Sequence, residues 1–339
     1  MPVYEGHYAP ERALDYVIAT NLKATRLAQS GSMGPNPMEV GAGYVNVQPF
    51  WGDLSGEFTD NQYGAALNFA DIESSSSVAP IINVEKGWAQ EGIVDAVTMG
   101  DQTVITNMVA RVAGFSNREI NRIGLQTAIA GTIGSDSAEH PTTLDLSEDG
   151  TALTHRDILG GIGLFGERQN EVSTLWCHSN VQTYLSQLDL VSNDSAYPGQ
   201  YAPYGTVNGL ALMVDDSLLP SVIQDDGGDD VLIYPILLGA GAFSAYGDGS
   251  VARKIAHVFY DDTNDEDRLS TRQRMSIHTW GCNYVPTVQN RPAFISEIID
   301  PQNYVSAFDG VDMGAYPFRT SIILAPLESF TPAVPPLSE

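Results

Sequence analysis

Lysine is nearly absent from these 339 residues: Lys23, Lys86 and Lys254 are the full set. With arginine included, 16 basic residues face 42 acidic ones, a formal charge of −26. That balance argues against a nucleic-acid reader, whose affinity comes from Lys and Arg contacts to phosphate. It suits a solubilising surface or a saline setting. Cysteine is scarce too. Cys177 and Cys282 do not make a disulfide framework, so a reducing cytoplasm is the expected place of synthesis. No apolar run approaches the roughly 20 residues that span a bilayer, and no membrane partner is expected. The opening M-P-V-Y-E-G-H-Y lacks the basic-then-apolar order of a signal peptide.

Catalytic motifs are missing as well. The chain has no G-x-S-x-G elbow, no H-E-x-x-H and no G-x-x-x-x-G-K-[ST]. Gly161-x-Gly163-x-x-Gly166 has the dinucleotide spacing, but it falls inside a predicted helix and before a strand, the reverse of the order that cofactor binding needs. Cys177-His178 and His278-x-x-x-Cys282 do not fit structural zinc spacing, and adjacent strand residues point to opposite faces. The acidic runs Asp225–Asp230 and Asp261–Asp267 lack the ligand order of an EF-hand and read as solvated loops. His178-Ser179 is the most enzyme-like pair and reads as a turn and helix cap. No catalytic, cofactor-binding or metal-ligating residue is therefore expected, and no cofactor. An α/β enzyme or binding protein with an unrecognised site is the alternative.

What is present is 43% hydrophobic content in patterns of both helix and strand, enough for a substantial core. Ala13–Gln29 has helical spacing through Leu14, Val17, Ile18, Leu22 and Leu27 and is stopped by Gly31, Gly34, Pro35 and Pro37. Gly43–Phe50 and Val78–Glu85 read as strands around about 27 polar residues, Ser74–Ser77 among them. A two-stranded ribbon with so long a tip needs outside support. Asp101–Ile133 is the longest helical pattern, expected to break where Gly114 and Gly124 weaken it. Ile105, Met108, Val112, Phe115, Ile120 and Ile123 share a side, with Arg111, Arg118 and Arg122 on a stripe beside it. Thr154, with Asp157 in the capping-box position, starts a helix expected to reach Arg168.

The stretch Thr174–Ala245 holds the rest of the pattern. A short strand ends at Cys177, and Ser179 is placed to cap a helix carrying Val181, Tyr184, Leu185 and Leu188. Leu210–Val214 and Val231–Leu238 are short apolar runs of strand length. After Gly247 two strands flank the second acidic run. Residues 300–339 end in P-A-V-P-P-L before the last two residues, a stretch that reads as extended and surface-bound.

The order of these pieces resembles the major capsid proteins of tailed phages, with their Hong Kong 97-type α+β fold. The resemblance rests on the strand ending in H-S, the short amphipathic helix, the V-D-D strand and L-x-G-x-G-A-F, with P-F-W-G-D-L-S-G-E at 49–57 upstream. It implies an N-terminal arm over 1–42 and an extended loop with flanking strands over 43–86. It also implies a peripheral domain with a long spine helix over 87–150 and 246–280, and an axial domain over 151–245 and 281–299. Residues 300–339 lie beyond it as a C-terminal extension. The implied function is self-assembly into hexamers and pentamers of an icosahedral head around double-stranded DNA, in a virion assembled in the host bacterial cytoplasm. Expected partners are other copies, a separate scaffolding protein, a portal and a decoration protein; DNA would be enclosed without sequence-specific binding. Leu14, Val17, Ile18, Leu22, Trp51, Leu54 and Phe58 are the expected intersubunit contacts. The arm would cover a neighbour, although an ordinary helix packed on its own domain fits the same spacing. The Arg111, Arg118 and Arg122 stripe would face the interior, towards a scaffold or DNA, or is a plain solvated face. Residues 51–85 contain no lysine, so the isopeptide cross-link of some such shells, which needs an amine nucleophile, is not expected.

Overall fold

Two sheets share one long helix, and they differ in how their faces are covered. The computed structural model describes residues 26–35, 43–51, 74–89, 102–137, 141–146, 153–192, 201–218, 221–224, 230–239, 243–247, 256–261, 266–286, 291–308 and 318–326. A helical turn, α1 (Arg26–Gln29), leads into β1 (Met33–Pro35). β2 (Val45–Trp51) and β3 (Ser74–Pro80) pair antiparallel as a ribbon, from Val45 opposite Pro80 to Trp51 opposite Ser74. The expected strand Val78–Glu85 is in fact the end of β3 and the start of β4 (Ile82–Ala89). Pro80 has no N–H to continue a ladder, and buried Ile81 turns its amide to the Tyr44 carbonyl and its own carbonyl to the Ala293 amide. The serine run read as loop is strand here.

The long helix, α2 (Gln102–Gly134), runs without the expected break. Gly124 does not loosen it, because the missing Cβ is a notch: a Cβ there would stand 2.6 Å from Leu27 Cδ1. Packing from outside, more than propensity, holds a helix of this composition together. Val112, Ile120 and Ile123 are buried as the spacing requires, and so are Leu125 and Ala128 on another side. The helix has apolar contacts around more of its girth because both sheets meet it.

Beyond α2 come β5 (Thr143–Asp145), α3 (His155–Gly163), a 3-10 turn at Gly166–Glu171 and β6 (Thr174–Cys177). α4 (Ser179–Gln187), β7 (Thr206–Val207), β8 (Leu210–Val214), β9 (Ser221–Gln224) and β10 (Asp230–Gly239) follow. The last group is β11 (Phe243–Gly247), β12 (Ala256–Asp261), β13 (Glu266–Thr279), β14 (Cys282–Tyr284), α5 (Ile295–Ile298), β15 (Tyr304–Ser306) and β16 (Thr320–Pro326).

The seven-stranded sheet has the order β5-β16-β10-β6-β8-β7, with β9 also on β10. Alternate residues of its strands point to opposite faces. Leu175, Cys177, Leu212, Ile236, Leu238 and Ile323 pack with Ile158 of α3 and Val181 and Leu185 of α4. Trp176, Met213 and Leu237, on the other face, pack with Leu27, Leu125 and Ala128. Strands covered on both faces read as continuous apolar runs, as these do. β16 places part of residues 300–339, set apart above as a C-terminal extension, in the body of the fold. Every residue of Thr320–Pro326 is buried, between β10 and β5. β5, counted with residues 87–150, joins this sheet, whereas β11, most of it counted with 151–245, pairs with β13 in the other. Strand partners are chosen by ladder geometry across the chain, which local pattern does not report.

The five-stranded sheet is built on β13. β4 runs along one edge of it, and β12 and β11 along the other, with β1 parallel to β11. Leu269, Met275 and Ile277 are buried, and Met275 and Ile277 pack with Ile120 and Ile123 of α2. Arg272 and Glu85, directly opposite across β13 and β4, are exposed and paired at 3.1 Å.

Candidate functional site

The side chains read as possible chemistry are dispersed by the fold, and each has a structural task. His178 and Ser179 begin α4. The expected cap, Ser179, is one residue late: His178 is the N-cap, and its Nδ1 accepts from the Asn180 amide at 3.1 Å. An imidazole in an extended conformation places an acceptor over the helix N-terminus as well as a hydroxyl does. The Ser179 amide donates to Asp216 Oδ1 at 3.1 Å, and His178 Nε2 lies 3.7 Å from the same oxygen. The Ser179 hydroxyl above all, helped by its amide, His178 and Arg26, holds the Asp216 carboxyl below the usual carboxylate range against the opposing cost of burial. The Ser179 hydroxyl thus serves the carboxylate. The nearest imidazole nitrogen, 3.5 Å away, already takes an amide proton. A nucleophilic serine needs that nitrogen as its base. The trio closes a helix end. On that helix Val181, Tyr184 and Leu185 are buried as expected, while Leu188, at 42% exposure, lies past its last turn.

The two Cys–His pairs do not converge. Cys177 packs under α3 and α4, and Cys282 packs against the far side of α2 with Tyr284 and Tyr304. Burial pushes the Cys177 thiol well above its ordinary range and the Cys282 thiol up to about 12. Both are neutral core groups, not thiolates ready to hold a metal. Among the described residues, no group of three or more His, Cys, Asp and Glu is placed to hold an ion.

The glycines of Gly161-x-Gly163-x-x-Gly166 serve packing. α3 ends at Gly163, short of Arg168, and its start is capped by Asp157 Oδ2, which accepts from the Thr154 amide at 2.7 Å. A Cβ on Gly161 would lie 2.7 Å from Ile323 Cδ1, so glycine lets α3 settle onto β16. Its carbonyl accepts from the Ser321 hydroxyl at 3.0 Å.

Of the expected contact residues, Leu14, Val17, Ile18, Leu22, Leu54 and Phe58 lie outside the described residues. Trp51 ends β2 opposite Ser74. The acidic run at 225–229, residues 262–265 and residues 327–339 also lie outside. Leu27, counted with the arm, is wholly buried within its own chain. Arg26 Nη1 donates to the Val214 carbonyl at 2.9 Å, Ser32 and Thr174 hydroxyls meet at 2.8 Å, and Trp176 Nε1 donates to Ser32 Oγ at 3.2 Å. Residues 26–35 are thus part of the body, not of an arm laid on a neighbour. The arginine stripe is uneven: Arg111 and Arg118 are exposed, while Arg122 is paired with Glu119 at 2.8 Å and donates to Gln126 at 2.9 Å.

Two arrangements had no sequence signal. Arg291 lies over the Phe294 ring at 3.8 Å and grips both carboxylate oxygens of Glu297, at 2.9 and 2.5 Å, while Phe294 stays 58% exposed. The other is a bond between Ser77 and His278, 201 residues apart.

No family model matches the chain, and no curated protein matches it. Solved structures do. The capsid of Ralstonia phage GP4 is similar at 10% identity and a TM-score of 0.51, over 88% of this chain and 90% of that one. The acid-stable capsid of Helicobacter pylori bacteriophage KHP30 is similar at 9% identity and a TM-score of 0.52, over 89% of each chain. The head of Helicobacter pylori bacteriophage KHP40 matches at 8% identity and a TM-score of 0.50, over 88% of each. The ribbon, the long helix and the two sheets therefore compose the α+β fold of phage capsids of the Hong Kong 97 type.

Proposed function

We propose that this chain is the major capsid protein of a tailed phage, self-assembling into the hexamers and pentamers of an icosahedral head that encloses double-stranded DNA. One observation carries the reading: the likeness to phage capsid chains runs through nearly nine-tenths of this chain and of those chains. The site geometry agrees with it, since the best candidate for chemistry, His178-Ser179-Asp216, is a helix cap.

In this reading the chain acts through interfaces. Leu14, Val17, Ile18 and Leu22, followed by Trp51, Leu54 and Phe58 on the ribbon and its tip, contact neighbouring copies. Contacts that are weak singly suffice, because each copy engages several others at once. The arm ends before Arg26, where the chain enters its own core. Arg111, Arg118 and Arg122 face the interior, towards a scaffold or DNA. A separate scaffolding protein, a portal and a decoration protein complete the virion, which forms in the host cytoplasm.

The test is assembly. Purified chain, with and without a co-expressed scaffolding protein, is followed by light scattering and electron microscopy. Rings or closed shells of many copies are expected. A chain that stays monomeric under all these conditions would refute the proposal. Boiling such particles in detergent should release single chains of 36.5 kDa, since no lysine occupies residues 51–85.

A further inference from the structure

The base of the β2–β3 ribbon is joined to the body through a wholly buried imidazole. His278, near the end of β13, has 0% exposure, and its Nε2 lies 2.5 Å from Ser77 Oγ on β3. Ser77 Oγ donates at 2.9 Å to the Cys282 carbonyl, which can only accept. The hydroxyl proton is committed there, so Nε2 must carry the proton that points at Ser77. In a neutral ring Nδ1 is then a bare lone pair, and it is buried with no hydrogen-bond partner among the described residues. Neutral groups make the neighbouring ties. The Val78 amide donates to Asn283 Oδ1 at 2.8 Å, and the Ser276 hydroxyl donates to the Pro80 carbonyl at 2.7 Å.

We propose that His278 is an acid-released pin for the ribbon: a proton added at Nδ1 creates a buried charge and an N–H with no acceptor, and the chain relieves this by lifting β3 from β13 and β14. The added proton does not itself break the Nε2–Ser77 bond. It makes water necessary around the ring, and β3 is what stands in the way.

Among the described residues, the surrounding elements bring no carboxylate to offset that charge; only the Cys282 carbonyl favours it, by less than burial opposes it. β14 brings Cys282 and Tyr284 and β15 brings Tyr304, all held neutral by burial. α2 has no ionisable side chain between Arg122 and Asp136, and Asp136 is engaged by the amides of Thr142 and Thr143. β2 and β3 have no ionisable side chain, and β11 sets Ser244 opposite His278. Burial outweighs the opposing pull of the Cys282 carbonyl and depresses the proton affinity of the ring, to a pKa of about 4. The inference stands on this chain's own geometry and does not depend on the shell reading.

Hydrogen–deuterium exchange of the full chain, corrected for the intrinsic effect of pH, tests it. Between neutral pH and pH 4, peptides covering 74–84 and 276–286 should gain at least tenfold in exchange while 174–190 stays protected. His278→Gln, which keeps a donor towards Ser77 but cannot titrate, should abolish that rise. Uniform opening of all three regions, no opening, or an unchanged rise in the variant would overturn the proposal. Should the variant not fold, ¹⁵N shifts of the slowest-exchanging ring N–H in the unmodified chain decide. A proton on Nε2 at neutral pH is expected, and one on Nδ1 refutes it.

Discussion

The seven-stranded sheet and the five-stranded sheet solve the same problem with different materials. β6, β8 and β16 are buried at every residue, because helices or α1 cover both faces of their sheet. β4 is buried at its first residue and largely exposed after it, and the ribbon beside it is tied down by a few hydrogen bonds made at Ser77, Val78 and the Pro80 carbonyl. The first sheet is held by area, which is insensitive to pH and direction. The ribbon is held by directed polar contacts, each of which depends on a protonation state or a particular geometry. Within one chain, then, the part that secures the fold and the part most open to regulation are physically separate.

Replacing Trp176 with Ala should produce the largest loss on the seven-stranded side. Its indole is fully buried against Leu27 and Leu237 and donates to Ser32. A loss of about 3–5 kcal/mol in chemical denaturation is expected, and a loss below about 1 kcal/mol would show that this core is not where stability resides.

Leu27→Ala should cost about 2–5 kcal/mol in the same assay, since the leucine fills the notch at Gly124. Two deletions separate the arm from the body. Removing residues 1–25 should leave the thermal transition of the isolated chain intact while impairing assembly. Removing 1–35 should lower that transition, because it takes away Leu27, Ser32 and β1. Equal effects on melting would erase the boundary drawn at Arg26.

On the ribbon side the test is pH. His278 titrates near 4 in the folded chain against an ordinary value of 6.5. The unfolded chain therefore takes up its proton first as pH falls, so the stability present above pH 6.5 is lost progressively down to about pH 4. The loss should amount to about 3 kcal/mol, less any relief from local opening. His278→Gln should flatten that part of the profile, and an unchanged slope would place the acid sensitivity elsewhere.

The smallest effect belongs to the surface. Arg272→Ala removes a pair whose side chains are 54% and 72% exposed, and less than about 1 kcal/mol should be lost. A larger loss would mean that the outer face of β13 carries more of the fold than its exposure implies.

Legibility followed the same division. Strands buried on both faces were readable as apolar runs, and Leu210–Val214 was placed to the residue. α2 was readable from its spacing but not its continuity, because the glycine that should weaken it at 124 is required by Leu27. β16 is not legible without its tertiary context. T-S-I-I-L-A-P, in a proline-rich tail, gives no sign that β10 and β5 hold it on both sides. The helix cap slipped by one residue because propensity favours serine, while the observed backbone puts the His178 acceptor in place.

By itself the sequence determined the chemistry available: an acidic, cysteine-poor chain without a recognisable catalytic motif, its periods of two and near 3.6 written locally in side-chain polarity. Those are properties of neighbours along the chain. The tertiary structure alone decided which distant groups meet: Leu27 with Gly124, Ser77 with His278, β16 with β10. The physical reason is that hydrogen bonds and close packing depend on distance in space, and the Ser77–His278 bond closes across 201 positions for which no local pattern can speak.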